Sequence, residues 1–363
     1  MGGGHIRGAA LWRTLQRRSA IPGLGWPHGA GTDRTGPRRD ELEGTVPEVE
    51  PQYRIDRPGG SLGVHDLSVG QGEPDGAGQD RPLVLALHGI TANALSWRIV
   101  ADALGDRLGP GSARVLAPDL RGRACSRDIT GPWGVDAHVA DVIGVADAFG
   151  AREVVLLGHS MGAFVAALTA ARHPDRVRAA VLVDGGLSLP VPAETDIDAA
   201  LTAVIGPAMQ RLSMRFADEQ AYLAFWEPHP AMTSILADPV GAATLHRYLR
   251  HDLVQDGPEL VSSCILDAVR ADGRDLLASA EVHAAVGTAV AAGVPVELLW
   301  AQRGLMDEPQ GLYDEQRLAA LGVPEQVRVT GVGGVNHYSV ILAPDGVEAV
   351  TAAVQRQLVS QPA

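Results

Sequence analysis

The chain contains no lysine: all 30 of its basic residues are arginine. That asymmetry reflects the codon usage of a GC-rich genome more than any chemistry, and it assigns no function. It holds only two cysteines, Cys125 and Cys264, too few for a stabilising disulfide framework, so both read as reduced thiols of a cytoplasmic protein. No run of about 20 apolar residues occurs, so no segment reads as a membrane span. Metal-ligand spacing is missing too. His246 and His251 are five apart and do not share a helix face, and no His-x-x-x-His or paired-cysteine motif stands elsewhere. Gly331-Val-Gly-Gly falls short of a complete dinucleotide-binding Gly-x-Gly-x-x-Gly. Neither a metal nor an organic cofactor is expected.

Acidic residues outnumber basic ones, 43 to 30, giving a net charge of −13. Residues 1–40 run the other way, with seven arginines against Asp33 and Asp40. The rest of the chain therefore carries −18. Such a body repels nucleic-acid backbones and anionic lipid, so nucleic acid is not an expected partner unless the short basic arm binds it alone. Oligomeric state is open. Arg17-Arg18 invites a twin-arginine reading, but the stretch after it is broken by Pro and Gly and is no apolar signal core.

Residues 1–50, rich in Gly, Pro and Arg, read as a flexible extension with at most a short helix over 9–18. From residue 51 strands and helices alternate. Strands are expected at 61–69, 82–87, 114–117, 153–157 and 177–183, with a Gly-rich turn at 70–78. Helices are expected over 94–108, 135–149 and 161–173. The strands are apolar on both faces, which implies a mostly parallel, doubly wound α/β sheet of about eight strands. At Leu187 the alternation stops. A helical block without convincing strands runs to residue 292 and reads as a lid. Strands at 294–300 and 326–330 and helices at 311–321 and 346–358 then complete a core made of 51–186 and 293–363.

The chemistry concentrates in Gly158-His159-Ser160-Met161-Gly162, between a five-residue apolar strand and a Gly/Ala-rich helix. A serine on so sharp a turn needs neighbours without bulk two residues away on each side, and Gly158 and Gly162 supply that. The turn presents the Ser160 hydroxyl at the sheet edge beside the unpaired N–H groups of a helix start.

On these residues the chain resembles the α/β-hydrolase family, serine esterase and lipase branch, from about Ser61 to the C-terminus. His88-Gly89-Ile90 with Trp97 is similar to the family's oxyanion segment. Pro118-Asp119-Leu120-Arg121-Gly122-Arg123 with Ser126 is similar to the loop after its fourth strand, although Ala124 stands where the family usually has a second glycine. The resemblance implies His337, after the last strand, as the base, and backbone N–H groups of Ile90 and Met161 as the oxyanion hole. For the acid, Asp307 holds the usual family position. Asp184, which ends an earlier strand, is the alternative, and Glu308 is a near neighbour. His159 and Trp97 are expected at the pocket wall, with about a third of Met209–Trp226. His88 is expected to bond within its own loop, and Asp119 to anchor the Arg121–Arg123 turn.

The expected reaction is hydrolysis of a small to medium, mostly apolar carboxylic ester, lactone or thioester through an acyl-enzyme. Carbon–carbon hydrolysis, perhydrolysis and non-catalytic ligand binding are the alternatives. Epoxide hydrolases and haloalkane dehalogenases resemble the chain but carry Asp at the position of Ser160.

Overall fold

In the computed structural model, residues 49–68, 81–109, 111–188 and 196–359 are described. The expected N-terminal extension, up to residue 48, and the Gly-rich turn at 70–78 lie outside them.

The described residues form ten strands: β1 (Tyr53–Arg57), β2 (Gly60–Asp66), β3 (Leu83–Leu87), β4 (Arg114–Pro118), β5 (Val154–His159), β6 (Val177–Val183), β7 (Leu253–Asp256), β8 (Glu259–Ser262), β9 (Val296–Ala301) and β10 (Arg328–Val332). Eight of them form one sheet in the order β1-β2-β4-β3-β5-β6-β9-β10. β1 and β2 run antiparallel at one edge, and the other six are parallel. The central strands explain the arrangement. Leu83-Val-Leu-Ala-Leu87 is buried at every position, and all six residues of β5 are buried. Strands apolar on both faces are stable only when helices cover both. At ~1.5–3 kcal/mol for each fully buried aliphatic side chain, that covering is the main stabilising term.

One face packs on helices Val135–Ala148, Met161–Arg172 and Ala280–Ala291, and the other on Arg98–Leu108 and Pro344–Val359. Turn chemistry sets the helix ends. Gly150, at φ +65°, follows the helix ending at Ala148, and Gly322, at φ +64°, stops Glu315–Leu321.

The block between β6 and β9 departs from the expected all-helical lid. Helices Ile197–Arg211, Glu219–Trp226 and Pro239–His251 do form a cap. It also holds the antiparallel β7–β8 hairpin, whose turn includes Gly257 at φ +64°. Two four-residue strands are too short to show a period of 2 beside so much helical spacing. Helix Ala280–Ala291 lies against Met161–Arg172, so it covers the sheet on the way into β9 and is no part of the cap's roof.

Candidate active site

All six parallel strands point their C-terminal ends to one edge, where open α/β sheets gather their chemistry. Ser160 follows β5 directly, with φ +53° and ψ −120°. Its N–H donates to the Val183 carbonyl at 3.0 Å. The flanking glycines are sterically required. A Cβ on Gly158 would stand 2.2 Å from the Gly162 carbonyl oxygen, and one on Gly162 would stand 2.0 Å from that of Leu87. Gly185 is needed as well, because a Cβ there would come within 2.3 Å of the Ser160 carbonyl oxygen. A strained serine wedged between glycines is held by its surroundings.

Ser160 and His337 line one pocket, together with Gly89 and Ile90 of the segment after β3. His337 is buried, and its Nδ1 lies 2.6 Å from Oδ2 of Asp184. Asp184 is fully buried at the end of β6, and its Oδ1 accepts the Ala301 N–H at 3.0 Å. The carboxylate therefore fixes the ring's orientation and takes its Nδ1, which leaves Nε2 for chemistry.

The first-choice acid is not beside the imidazole. Asp307 lies between β9 and the next helix, but Arg303 holds its carboxylate, Nε to Oδ1 at 2.8 Å and Nη2 to Oδ2 at 2.9 Å. Asn336 Nδ2 donates to the same Oδ1 at 3.0 Å. The Arg303 guanidinium keeps the Asp307 carboxyl below its ordinary range. The loop that carries His337 turns its ring toward β6 and offers Asp307 only the neighbouring Asn336 amide. Glu308 points elsewhere, accepting the Met306 N–H.

Ile90 lines the pocket, and Met161 is the first residue of the helix after Ser160. A helix start leaves such an N–H without an intrahelical acceptor. Two buried arginines hold the segment after β3 from behind. Arg123 donates to the Ile90 carbonyl from Nε at 3.0 Å and from Nη2 at 2.8 Å. Arg211, on the cap, donates to the Thr91 carbonyl at 2.5 Å. Each is paired with a carboxylate of the inserted block, Arg123 with Asp272 at 2.6 Å and Arg211 with Asp252 at 3.1 Å. The sequence places Arg123 in the loop after β4 but shows neither its contact with Ile90, 33 positions away, nor that of Arg211 with Thr91, 120 positions away.

His159 lines the pocket as expected, its Nε2 2.8 Å from the His337 carbonyl oxygen. Burial holds its pKa well below that of a free histidine, so the ring is neutral and Nε2 donates. Trp97 does not line the pocket. It closes a short 3-10 turn facing inward, is fully buried, and meets the His159 ring edge-on at 6.3 Å. His88 reaches beyond its own loop: Nδ1 lies 2.8 Å from the Gly89 carbonyl, and Nε2 accepts the Leu120 N–H at 2.8 Å. Burial pushes its pKa down to about 3.

The cap's contribution also differs from expectation. Ile205, Ala208 and Tyr248 line the pocket, and no residue of Met209–Trp226 does. That stretch is cap core, with Phe216 and Tyr222 packed edge-to-face at 4.9 Å. The pocket is small, with a cavity volume of about 40 Å³. Aliphatic side chains, among them Ile205, Leu305 and Leu342, share its walls with Tyr248, Tyr338 and the two histidines.

A family model described as alpha/beta hydrolase fold matches residues 82–344. Lipase LipV of Mycobacterium tuberculosis is 36% identical over 126 residues, 35% of this chain and 44% of the lipase. Epoxide hydrolase A of the same organism is 35% identical over 190 residues, 52% of each chain. The chain thus spans about half the length of these curated relatives. Among solved structures, a hypothetical protein of Pseudomonas aeruginosa PAO1 superposes with a TM-score of 0.61 at 23% identity, covering 85% of this chain and 98% of that one. A structure from work on carboxylesterases of the Thaumarchaeon Nitrososphaera gargenis gives 0.58 at 16% identity, covering 84% and 98%. At such identities these two likenesses speak for the fold alone.

Proposed function

The chain belongs to the α/β-hydrolase family, and on that premise we propose that it is a serine hydrolase of small to medium, mostly apolar carboxylic esters, with Ser160, His337 and Asp184 as its triad. The observation that carries this reading is the strained Ser160 sharing a pocket with a buried His337 whose Nδ1 is engaged by Asp184. Ser160 attacks the carbonyl carbon as His337 Nε2 takes its proton, and Asp184 stabilises the imidazolium. The oxyanion turns toward the N–H groups of Ile90 and Met161, each donor contributing about 2.7–4 kcal/mol in the transition state. His337 then protonates the departing alcohol, and water, activated by the same nitrogen, releases the acid.

Lactones and thioesters fit the same machinery. An epoxide does not: ring opening by Ser160 would leave a serine ether, which has no acyl carbon for water to attack. The small pocket favours short, unbranched acyl groups.

The test is hydrolysis of p-nitrophenyl esters from acetate to decanoate by wild type and Ser160→Ala. The wild type should turn over the shorter members, and the variant should lose about 10⁵–10⁶-fold in kcat. If folded wild-type protein hydrolyses none of them yet reacts at Ser160 with a fluorophosphonate, the carbon–carbon and perhydrolase readings come forward. Failure of that labelling too would favour a ligand-binding role.

A further inference from the structure

A second group of reactive side chains sits outside the catalytic pocket. His65 comes from β2, Asp119 from the end of β4, Cys125 from the turn Ala124–Ser126, and His251 from the last residue of the cap helix Pro239–His251. One donor atom from each lies within 4.8 Å of all the others. His65 Nε2 is 3.0 Å and His251 Nε2 2.9 Å from Oδ2 of Asp119. The two rings meet edge-to-face at 90°, so the nitrogens converge from different directions. His65, Asp119 and His251 are buried, and the Cys125 thiol closes the group from a half-buried position.

We propose that these four residues form a structural zinc site that ties the cap helix to the sheet. Two imidazoles, a carboxylate and a thiolate are a borderline-soft donor set, which suits zinc and not magnesium or calcium. Charge agrees with this: one carboxylate and one thiolate neutralise a divalent cation, so the loaded site is a neutral buried unit. Bond lengths of about 2.0–2.3 Å place tetrahedral ligands roughly 3.3–3.8 Å apart. The two nitrogens need to move only a few tenths of an ångström from Oδ2 to reach that spacing. Without the metal, Oδ2 is crowded, taking both imidazoles and the Cys125 N–H at 3.2 Å.

Zinc entry has a defined proton balance. Each imidazole moves its Nε2 proton to Nδ1, freeing a lone pair, and the thiol proton passes to solvent as the zinc–sulfur bond forms. Oδ1 of Asp119 keeps the Ala94 N–H at 2.9 Å as its outer support. Linear spacing hides the site, since the four residues lie on separate segments spread over 187 positions.

The experiment uses the full chain, stripped with chelator under a non-thiol reductant, mixed with zinc chloride and gel-filtered. Wild type should retain about one zinc per chain, melt a few degrees higher when loaded, and have Cys125 alkylated by iodoacetamide at least about tenfold more slowly. Cys125→Ser and His251→Gln should each lose the retained zinc while keeping a folded circular-dichroism spectrum. Ser160→Ala should bind as wild type does, separating this site from the catalytic one. Two results overturn the proposal: folded wild type that retains no zinc, or zinc retained equally by Cys125→Ser and His251→Gln, which would put the metal elsewhere.

Discussion

Asp184 and Asp307 invite comparison because, on paper, either could serve His337. Each follows a parallel strand at the same sheet edge, and each takes a left-handed backbone rare for a residue with a side chain, φ +45° and +60°. Their surroundings separate them. Asp184 is fully buried, with an imidazole on one oxygen and the Ala301 N–H on the other. Asp307 has a third of its side chain in solvent and is occupied by Arg303. A carboxylate in water gives an imidazolium little, because solvent screens the pair. One buried against the ring acts at short range in a low dielectric. In the proposed triad, a position after a strand and a strained backbone nominate an acid, and burial against His337 selects Asp184.

The sharpest way to break that comparison is to remove each charge without changing shape. Asp184→Asn should lower kcat on the best p-nitrophenyl ester about 10³–10⁴-fold, since the amide holds the imidazole in the wrong tautomer. Asp307→Asn should cost less than about tenfold, acting only through the Asn336 contact next to His337. A reversed order would return the acid's role to Asp307 and make the Asp184 contact structural.

This contrast also explains what could be read from the chain. β3, β5 and β6 announce themselves as apolar runs because both faces are buried. The Ser160 turn is legible because its steric demands fall on residues two positions away. His337 follows from its place after the last strand. The choice between Asp184 and Asp307 depends on which way one loop turns a ring, and no local pattern encodes that. The same limit hid Arg211, Tyr248, the inward face of Trp97 and the contact of Arg123 with the Ile90 carbonyl. The β7–β8 hairpin leaves no such trace because its strands are only four residues long.

The histidines extend the comparison from activity to stability. Burial pushes His88 down to about 3 and His229, between the cap helices Glu219–Trp226 and Pro239–His251, down to about 4, and keeps His159 well below its usual value. The unfolded chain protonates all three as pH falls through about 6.5, while the folded chain leaves them neutral. The unfolded state then binds more protons, so stability is complete above pH 6.5 and is lost as pH falls toward 4. Each group contributes up to about 1.4 kcal/mol per pH unit, so unfolding free energy from urea titrations should drop by about 3–4 kcal/mol between pH 5.5 and 4.5. His229→Gln should flatten that slope by about one third. An unchanged slope in the variant would mean that His229 accepts its proton without unfolding the cap.

The smallest effect tests whether left-handed backbone alone carries a cost. Ala124 stands where the family usually has glycine, and it adopts φ +40°, the region glycine occupies without strain. Nothing about its methyl group requires that conformation. The alanine is held there by the Ala124 N–H bond to Ser263 Oγ at 2.9 Å and by the turn that places Cys125. Ala124→Gly should relieve about 1 kcal/mol of strain and give part of it back through the freer unfolded chain, for a net gain below about 1 kcal/mol. Asp307→Gly relieves similar strain but loses the Arg303 pair, and it should leave the urea midpoint nearly unchanged. Asp184→Gly relieves strain too, yet strips a buried imidazole of its partner, so it should destabilise the fold. If all three glycines stabilised alike, backbone strain would outweigh the side-chain contacts at this edge, and the distinction between Asp184 and Asp307 would lose its energetic basis.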